Sequence, residues 1–158
     1  MSFRSAASFG KRQEFVAMAE LLRRGFDVYL TLVDDQQIDC IVRQEVNGKL
    51  VYQDIQIKAR SRDANPRNAG KFGPLEVRKP RRNFFFIFYS EPADAYWVMS
   101  SLDLVREANQ YKTGGSAGRY SIVFTNLSRK TGKVTPRPRF AKYKDDFDVL
   151  KPGRKAGQ

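Results

Sequence analysis

Three polar residues interrupt otherwise apolar stretches: Asp39 precedes Cys-Ile-Val, and Gln56 and Lys58 fall inside the run Leu50 to Ala59. Asp, Gln and Lys depress strand propensity in a Val/Ile/Tyr-type run, so a role beyond packing is implied. Carboxylate and amide oxygens are hard ligands suited to Mg²⁺, which keeps several waters and binds through one or two carboxylates plus a substrate phosphate. An ammonium beside such an ion can help deprotonate or orient an attacking water, while the metal stabilises charge on the phosphate. The reaction class is metal-assisted phosphodiester hydrolysis. The chain has no His, which removes imidazole zinc sites, Ser-His-Asp and Cys-His nucleophiles, and the usual general base near neutral pH.

Bringing Asp39 to Gln56 takes a hairpin. Val46-Asn47-Gly48-Lys49 separates two strand-like runs, Ile38 to Glu45 and Leu50 to Ala59, and Asn-Gly supplies the two positive φ values of a type I′ turn. With Asn47 and Gly48 at its centre, Val46 pairs with Lys49, and continuing the register sets Asp39 opposite Gln56, with Cβ atoms about 4.5–5.5 Å apart. Lys58 and Asp54 flank Gln56 on that face, while Ile38, Cys40, Ile55 and Ile57 face the other way.

A helix precedes the hairpin, from Gly10 to Arg24 with Gly25 as its stop. On a helical wheel Phe15, Met18, Leu21 and Leu22 mark the core side, Glu20, Arg23 and Arg24 the solvent side, and Glu14 with Lys11 the inward half. Each polar residue alone has a bland explanation: Glu14 as a first-turn acid on the helix dipole, Asp39 as a strand-start residue, Gln56 and Lys58 as a solvated strand face. Their convergence weakens these. Phe26 to Leu32 reads as a strand ended by Asp34-Asp35, so the order to this point is αβββ.

Downstream, residues 60–74 read as a loop with at most a short helical turn. Asn83 to Tyr89 is a continuous apolar run, expected of a strand buried on both faces, and Ala95 to Met99 is its antiparallel neighbour. Ser101 to Gln110 follows as a short helix capped by Ser100 or Ser101, then a Gly-rich loop without phosphate-loop spacing, then a strand from Tyr120 to Thr125. Beyond Leu127 the chain becomes Pro- and Lys/Arg-rich, although Phe140, Tyr143 and Phe147 can anchor it. At 158 residues one folded unit is expected, 1–128, with a basic extension, 129–158.

The net charge of +12 is concentrated in two places. Residues 58–82 carry 9 basic and 2 acidic side chains, and residues 129–158 carry 10 and 3. Such clusters gain affinity for polyanions by releasing counterions from phosphates. The competing explanation is a solvated surface with a floppy basic tail. Neither segment has the apolar face of an interfacial helix, so no membrane is expected. The single Cys40 reads as a buried small apolar side chain and fits a reducing, cytoplasmic compartment. Residues 1–10 contain no apolar segment of signal-peptide type.

Glu14 on the first helix, Asp39 in Ile38-Asp39, and Gln56-Ile57-Lys58 on the next strand resemble the PD-(D/E)XK nuclease superfamily, with archaeal-type Holliday junction resolvases and small group I intron homing endonucleases as the nearest branches. The resemblance spans residues 10–100. It implies an α/β, restriction-endonuclease-like fold, a mixed central sheet flanked by helices in the order αβββαβ. It also implies a Mg²⁺ (or Mn²⁺) site, double-stranded or branched DNA as substrate, and a homodimer or higher homo-oligomer. By position, Asp39 becomes the central metal ligand, Gln56 the second, the Ile57 carbonyl a third, Glu14 the helix-borne acid and Lys58 the catalytic lysine. Ile38 stands where the signature has Pro. Gln56 stands where it has Asp or Glu and removes one negative charge; Asp54 on the same face is a candidate to replace it.

Two functions follow, a metal-dependent DNA endonuclease and, alternatively, a catalytically inactive nucleic-acid-binding protein on a nuclease-like fold. Phosphate contacts are expected from Lys11, Arg60, Arg62, Arg67, Lys71, Arg78, Lys79, Arg81 and Arg82.

Overall fold

The computed structural model describes residues 3–33 and 36–153, with backbone alone for 3–7. Asp34 and Asp35, read above as a strand end, and residues 154–158 of the basic extension lie outside the described residues. Helix α1 (Phe3–Arg23) starts earlier than Gly10. An internal glycine weakens a helix by about 0.5–1 kcal/mol, which is why it reads as a boundary; buried Phe9 holds the preceding turn to the body instead. The C-terminus follows expectation. Gly25 sits at φ 89°, its N–H donates to Leu22 O at 2.9 Å, and Phe26 N–H donates to Leu21 O at 3.1 Å, the paired bonds of a Schellman stop.

Strands β1 (Asp27–Leu30), β2 (Cys40–Val46) and β3 (Lys49–Arg60) come next. The β2–β3 turn has Asn47 at φ 52° and Gly48 at φ 75°, and the ladder runs from Val46↔Lys49 to Cys40↔Ile55 in the register derived from Asn-Gly. A crossover then carries the chain through a 3-10 turn (Pro66–Asn68) and strand β4 (Lys71–Leu75) to β5 (Phe84–Ser90), which pairs parallel to β3. This connection contains no α-helix. Strand β4 lies inside the segment read as loop, because Lys-Phe-Gly-Pro-Leu carries the two residues least compatible with a strand interior; it is tolerated as an edge strand. Strand β6 (Ala95–Ser100) completes a five-stranded mixed sheet in the order β1-β2-β3-β5-β6.

Helix α2 (Ser101–Glu107) is capped by Ser100, whose Oγ accepts the Asp103 N–H at 3.0 Å. It ends short of Gln110, because strand β7 (Asn109–Gln110) pairs with β8 (Tyr120–Val123) to form a second sheet, β4-β8-β7. A hairpin of β9 (Thr125–Leu127) and β10 (Val134–Pro136) follows.

Three layers result. On one face of the main sheet α1 contributes Ala17, Met18 and Leu21 against Cys40, Val42, Ile55, Ile57, Phe85, Ile87 and Val98. On the other face Phe84, Phe86, Phe88, Trp97 and Met99 pack under Phe72, Leu104, Ile122 and Phe124 from the second sheet and α2. Strand β5 is therefore buried on both sides, as its unbroken apolar run predicts. Two helix residues are corrected: Phe15 is 53% and Leu22 58% exposed, so α1 carries apolar side chains on its outer face as well. Among the described residues no helix is long and apolar enough to cross a membrane.

The basic segment after residue 128 returns to this core. Phe147 and Leu150 are buried on the α1 face, Phe140 and Tyr143 on the other. Asp145 N–H donates to Tyr96 O at 2.7 Å and the Asp145 carboxylate accepts Tyr96 N–H at 2.9 Å. Phe147→Ala is expected to cost about 3–5 kcal/mol in urea unfolding; a loss below about 1 kcal/mol would show that this segment is dispensable to the fold.

Candidate active site

The ladder between β2 and β3 stops one rung before the expected Asp39–Gln56 pair. Asp39 N–H donates to Ile55 O at 2.8 Å, the residue that Cys40 already faces, so the backbone slips by one position, as at a β-bulge. The carboxylate is re-aimed along the strand edge, and Asp39 Oδ2 accepts the buried Ile57 N–H at 2.7 Å. Asp39 thus meets the Gln56–Ile57 peptide rather than standing squarely across from Gln56. In an extended strand one residue's N–H and C=O point to the same edge, so the Ile57 carbonyl also faces the Asp39 side.

The segment before Asp39 is fastened twice. Thr31 Oγ1 donates to Ile38 O at 2.5 Å and to Asp39 O at 3.1 Å. Gln37, at φ 61°, accepts Arg78 N–H at 3.1 Å and donates to Glu76 O at 3.0 Å, tying this segment to the chain entering β5. Neither residue stands out in the sequence. Both act through side-chain contacts with backbone elsewhere in the chain, Thr31 seven and eight residues on and Gln37 about forty, which periodicity does not reveal.

Gln56 is 5% and Asp39 9% exposed. Gln56 Oε1 is buried and accepts no hydrogen bond from a described residue; leaving such an oxygen without a donor or cation costs about 1–3 kcal/mol. Lys58 lies two residues on, on the same strand face, half-buried and in no ion pair with a described residue. Asp54 does not supply a missing charge: Arg81 Nη2 binds its Oδ2 at 2.5 Å. Glu14 reaches the neighbourhood from α1, and Lys11 Nζ holds its Oε2 at 2.5 Å. Lys11 itself is exposed rather than turned inward, so its first contact is Glu14.

Burial, and then the Asp39 and Glu14 carboxylates, push the Cys40 thiol up to about 12. An ion held here would take Asp39, the orphaned Gln56 oxygen, the Ile57 carbonyl and Glu14, a hard oxygen set that suits Mg²⁺. Among the described residues no group of three His, Cys, Asp or Glu side chains converges to hold a metal.

The basic residues of 58–82 divide by what they already touch. Arg60 Nε donates to Lys71 O at 2.6 Å, its guanidinium lies 5.3 Å from the Phe72 ring centre, and burial lowers its pKa. Arg81 is bound to Asp54, and Arg78 to Glu76 at 3.0 Å. Arg62, Arg67, Lys71, Lys79 and Arg82 are exposed and in no ion pair with a described residue. Two adjoining clefts, about 290 and 310 Å³, open where β3 runs past Lys58 and share Arg60 and Ala64. Phe9 and Gly10 of α1 wall the first, Asn65, Asn68 and Lys71 the second.

A mixed sheet flanked by helices, with its first helix over β3 and its parallel pair in the centre, defines a restriction-endonuclease-like fold. The bacterial homing endonuclease I-Ssp6803I shares it, with a TM-score of 0.56 over 91% of this chain and 92% of its own, at 18% sequence identity. No family model and no curated protein matches the sequence.

The thiol gives a direct check on the layer behind this site. Cys40 in the native protein is expected to resist Ellman's reagent at pH 8 and to react stoichiometrically in denaturant; rapid native labelling would place Cys40 outside the core.

Proposed function

We propose that this chain is a Mg²⁺-dependent DNA endonuclease, with Mn²⁺ able to substitute, that hydrolyses phosphodiester bonds of double-stranded or branched DNA in the manner of a homing or junction-resolving enzyme. The observation that carries this reading is the buried Gln56 oxygen, which accepts no hydrogen bond from a described residue, in the strand segment whose Ile57 N–H binds the Asp39 carboxylate, with Lys58 two residues on. The fold shared with a homing endonuclease supports it, as does the net charge of +12.

Asp39, Gln56, the Ile57 carbonyl and Glu14 would hold the ion. When bound, it supplies Lewis-acid stabilisation of charge developing on the phosphate. Lys58 Nζ donates hydrogen bonds to the attacking water and to a non-bridging phosphate oxygen, orienting the first and neutralising the second. Arg62, Arg67 and Lys71, whose side chains are in no ion pair with a described residue and which lie adjacent to the clefts, hold phosphates flanking the scissile bond. Arg82 and Lys79 extend that track toward the Gln37 tie.

A second reading, a DNA-binding protein without catalysis, is favoured by one feature: Gln56 contributes no charge, so attraction for a divalent ion rests on Asp39 and Glu14.

One set of assays separates the two. Supercoiled, linear and four-way-junction DNA are incubated in Mg²⁺ or Mn²⁺. Wild type is expected to cut at least one of them, and Lys58→Ala to cut about 10²-fold more slowly at saturating DNA. Equal cutting by Lys58→Ala removes Lys58 from the mechanism. In calorimetry, Asp39→Asn, which keeps an acceptor for Ile57 N–H, is expected to lose Mn²⁺ binding. DNA binding without cleavage or metal uptake in wild type would select the second reading.

A further inference from the structure

From Ala108 to Lys144 the chain holds 9 Lys and Arg and no Asp or Glu. The fold consumes part of that charge. Arg137 Nε donates to Asn126 Oδ1 and Thr125 O at 3.0 and 3.2 Å, Arg139 and Lys142 are drawn to Glu107 at 3.2 and 3.6 Å, and Lys144 to Asp145 at 2.8 Å. Arg129, Lys130 and Lys133 at the tip of the β9–β10 hairpin are exposed and in no ion pair with a described residue.

This tip is built rather than loose. Ser128 N–H donates to Lys133 O at 2.9 Å, Gly132 N–H to Ser128 O at 2.8 Å, and Ser128 Oγ accepts Thr131 N–H at 3.3 Å. Gly132 takes the left-handed conformation, φ 69°, that lets the loop close. The ladder pairs Thr135 with Asn126 and Val134 with Leu127. Period-2 alternation then sets Asn126, Ser128, Lys133 and Thr135 on one face, all exposed, with Leu127 and Val134 on the other, half-buried. A narrow ribbon results, whose open face carries hydrogen-bonding groups and whose end carries three cations in no ion pair with a described residue.

Its base is fixed near the candidate active site. Phe124 N–H donates to Gly70 O at 2.8 Å, and a Cβ on Gly70 would lie 2.5 Å from Thr125 Oγ1. The chain can come this close only because residue 70 is Gly. Gly70 precedes Lys71, whose carbonyl holds Arg60, two residues beyond Lys58.

We propose that the Thr125–Pro136 hairpin is a DNA-reading ribbon that enters the major groove beside the cleavage site, Arg129, Lys130 and Lys133 gripping phosphates while Asn126 and Thr135 face base edges. B-DNA's major groove, about 12 Å wide, admits a two-stranded ribbon, and Asn and Thr are among the side chains that read its base edges. The proposal rests on the nucleic-acid reading above but not on catalysis.

The test is fluorescence anisotropy on a random-sequence DNA duplex and on an RNA duplex of equal length, across a salt series, with wild type, R129Q/K130Q/K133Q and K49Q, which removes an exposed lysine beside the Asn47-Gly48 turn. The tip residues are exposed, and thermal melts establish that the triple variant is folded before binding is compared. The triple variant is expected to bind DNA about 10–100-fold more weakly near 0.1 M salt, with a salt slope smaller by about 2–3, while K49Q binds normally. RNA binding should change much less, because the A-form major groove is too deep and narrow for side chains to enter. In a selection from random duplexes, N126A/T135A should enrich a different sequence set from wild type. Unchanged DNA affinity and slope in the triple variant, an equal loss on RNA, or an unchanged selected set would overturn the groove-reading role. A wild-type protein that fails to bind DNA at low salt overturns it together with the nucleic-acid reading, whereas binding without cleavage defeats the endonuclease alone.

Discussion

The short hydrogen bond from Ile57 N–H to Asp39 Oδ2, 2.7 Å in a buried setting, is the contact on which the candidate site depends. A β-ladder continuing past Cys40 would present a backbone carbonyl to this N–H, because buried main-chain donors are almost always satisfied. Here a side chain takes that place. The substitution ends β2 and at the same time sets a carboxylate against the peptide that carries Gln56. Thr31 and Gln37 hold the approaching segment from two sides, and the Asn47-Gly48 turn fixes the register that makes the meeting possible. The geometry is thus a property of strand termination rather than of a mobile loop.

Net charge says less about binding than which cations the fold has already used. Arg60, Arg78 and Arg81 read in sequence like their neighbours, yet each is spent on a carbonyl, a carboxylate or an aromatic face. Such groups position loops, and their charge is compensated locally or partly withdrawn from solvent. Arg62, Arg67, Lys71, Lys79 and Arg82 in one segment, and Arg129, Lys130 and Lys133 in the other, keep theirs. Counterion release depends on the second kind. Arg62, Arg67 and Lys71 follow the end of β3 and the hairpin is anchored beside them through Gly70, while Lys79 and Arg82 lie at the entry to β5.

The legibility of this protein follows the range of the forces involved. The hairpin, its register, the helix stop and the doubly buried β5 are encoded within a few residues, in Asn47-Gly48, in Gly25 and in the run from Phe84 to Phe88, and they were readable. Asp39, Gln56 and Lys58 were visible as polar intruders in apolar stretches. The one-residue slip at Asp39, the Asp54–Arg81 pair and the Gln37 tie depend on segments 16 to 41 residues away along the chain, and local pattern carries no trace of them. Residues 129–153 were read in part: bulk charge suggested a basic extension, with Phe140, Tyr143 and Phe147 as candidate anchors, and these three with Leu150 are the side chains the segment buries in the core.

Gln56 marks a balance between two states of the site. Asp39 and Glu14 already press on one buried thiol, and position 56 is nearly sealed from solvent. A carboxylate there would add a third negative charge in a medium where isolated charge is expensive to bury, and the protein without its ion would be strained by it. An amide keeps a hard oxygen at position 56 and carries no charge to repel its neighbours. What it gives up is attraction: each carboxylate removed from an oxygen site weakens the pull on a divalent cation. In the proposed enzyme, part of that deficit falls to the substrate, because a phosphate brings negative oxygens of its own to the ion. Ion and DNA would then bind cooperatively, each completing the site for the other, and the site would carry its full charge only when there is a bond to cut.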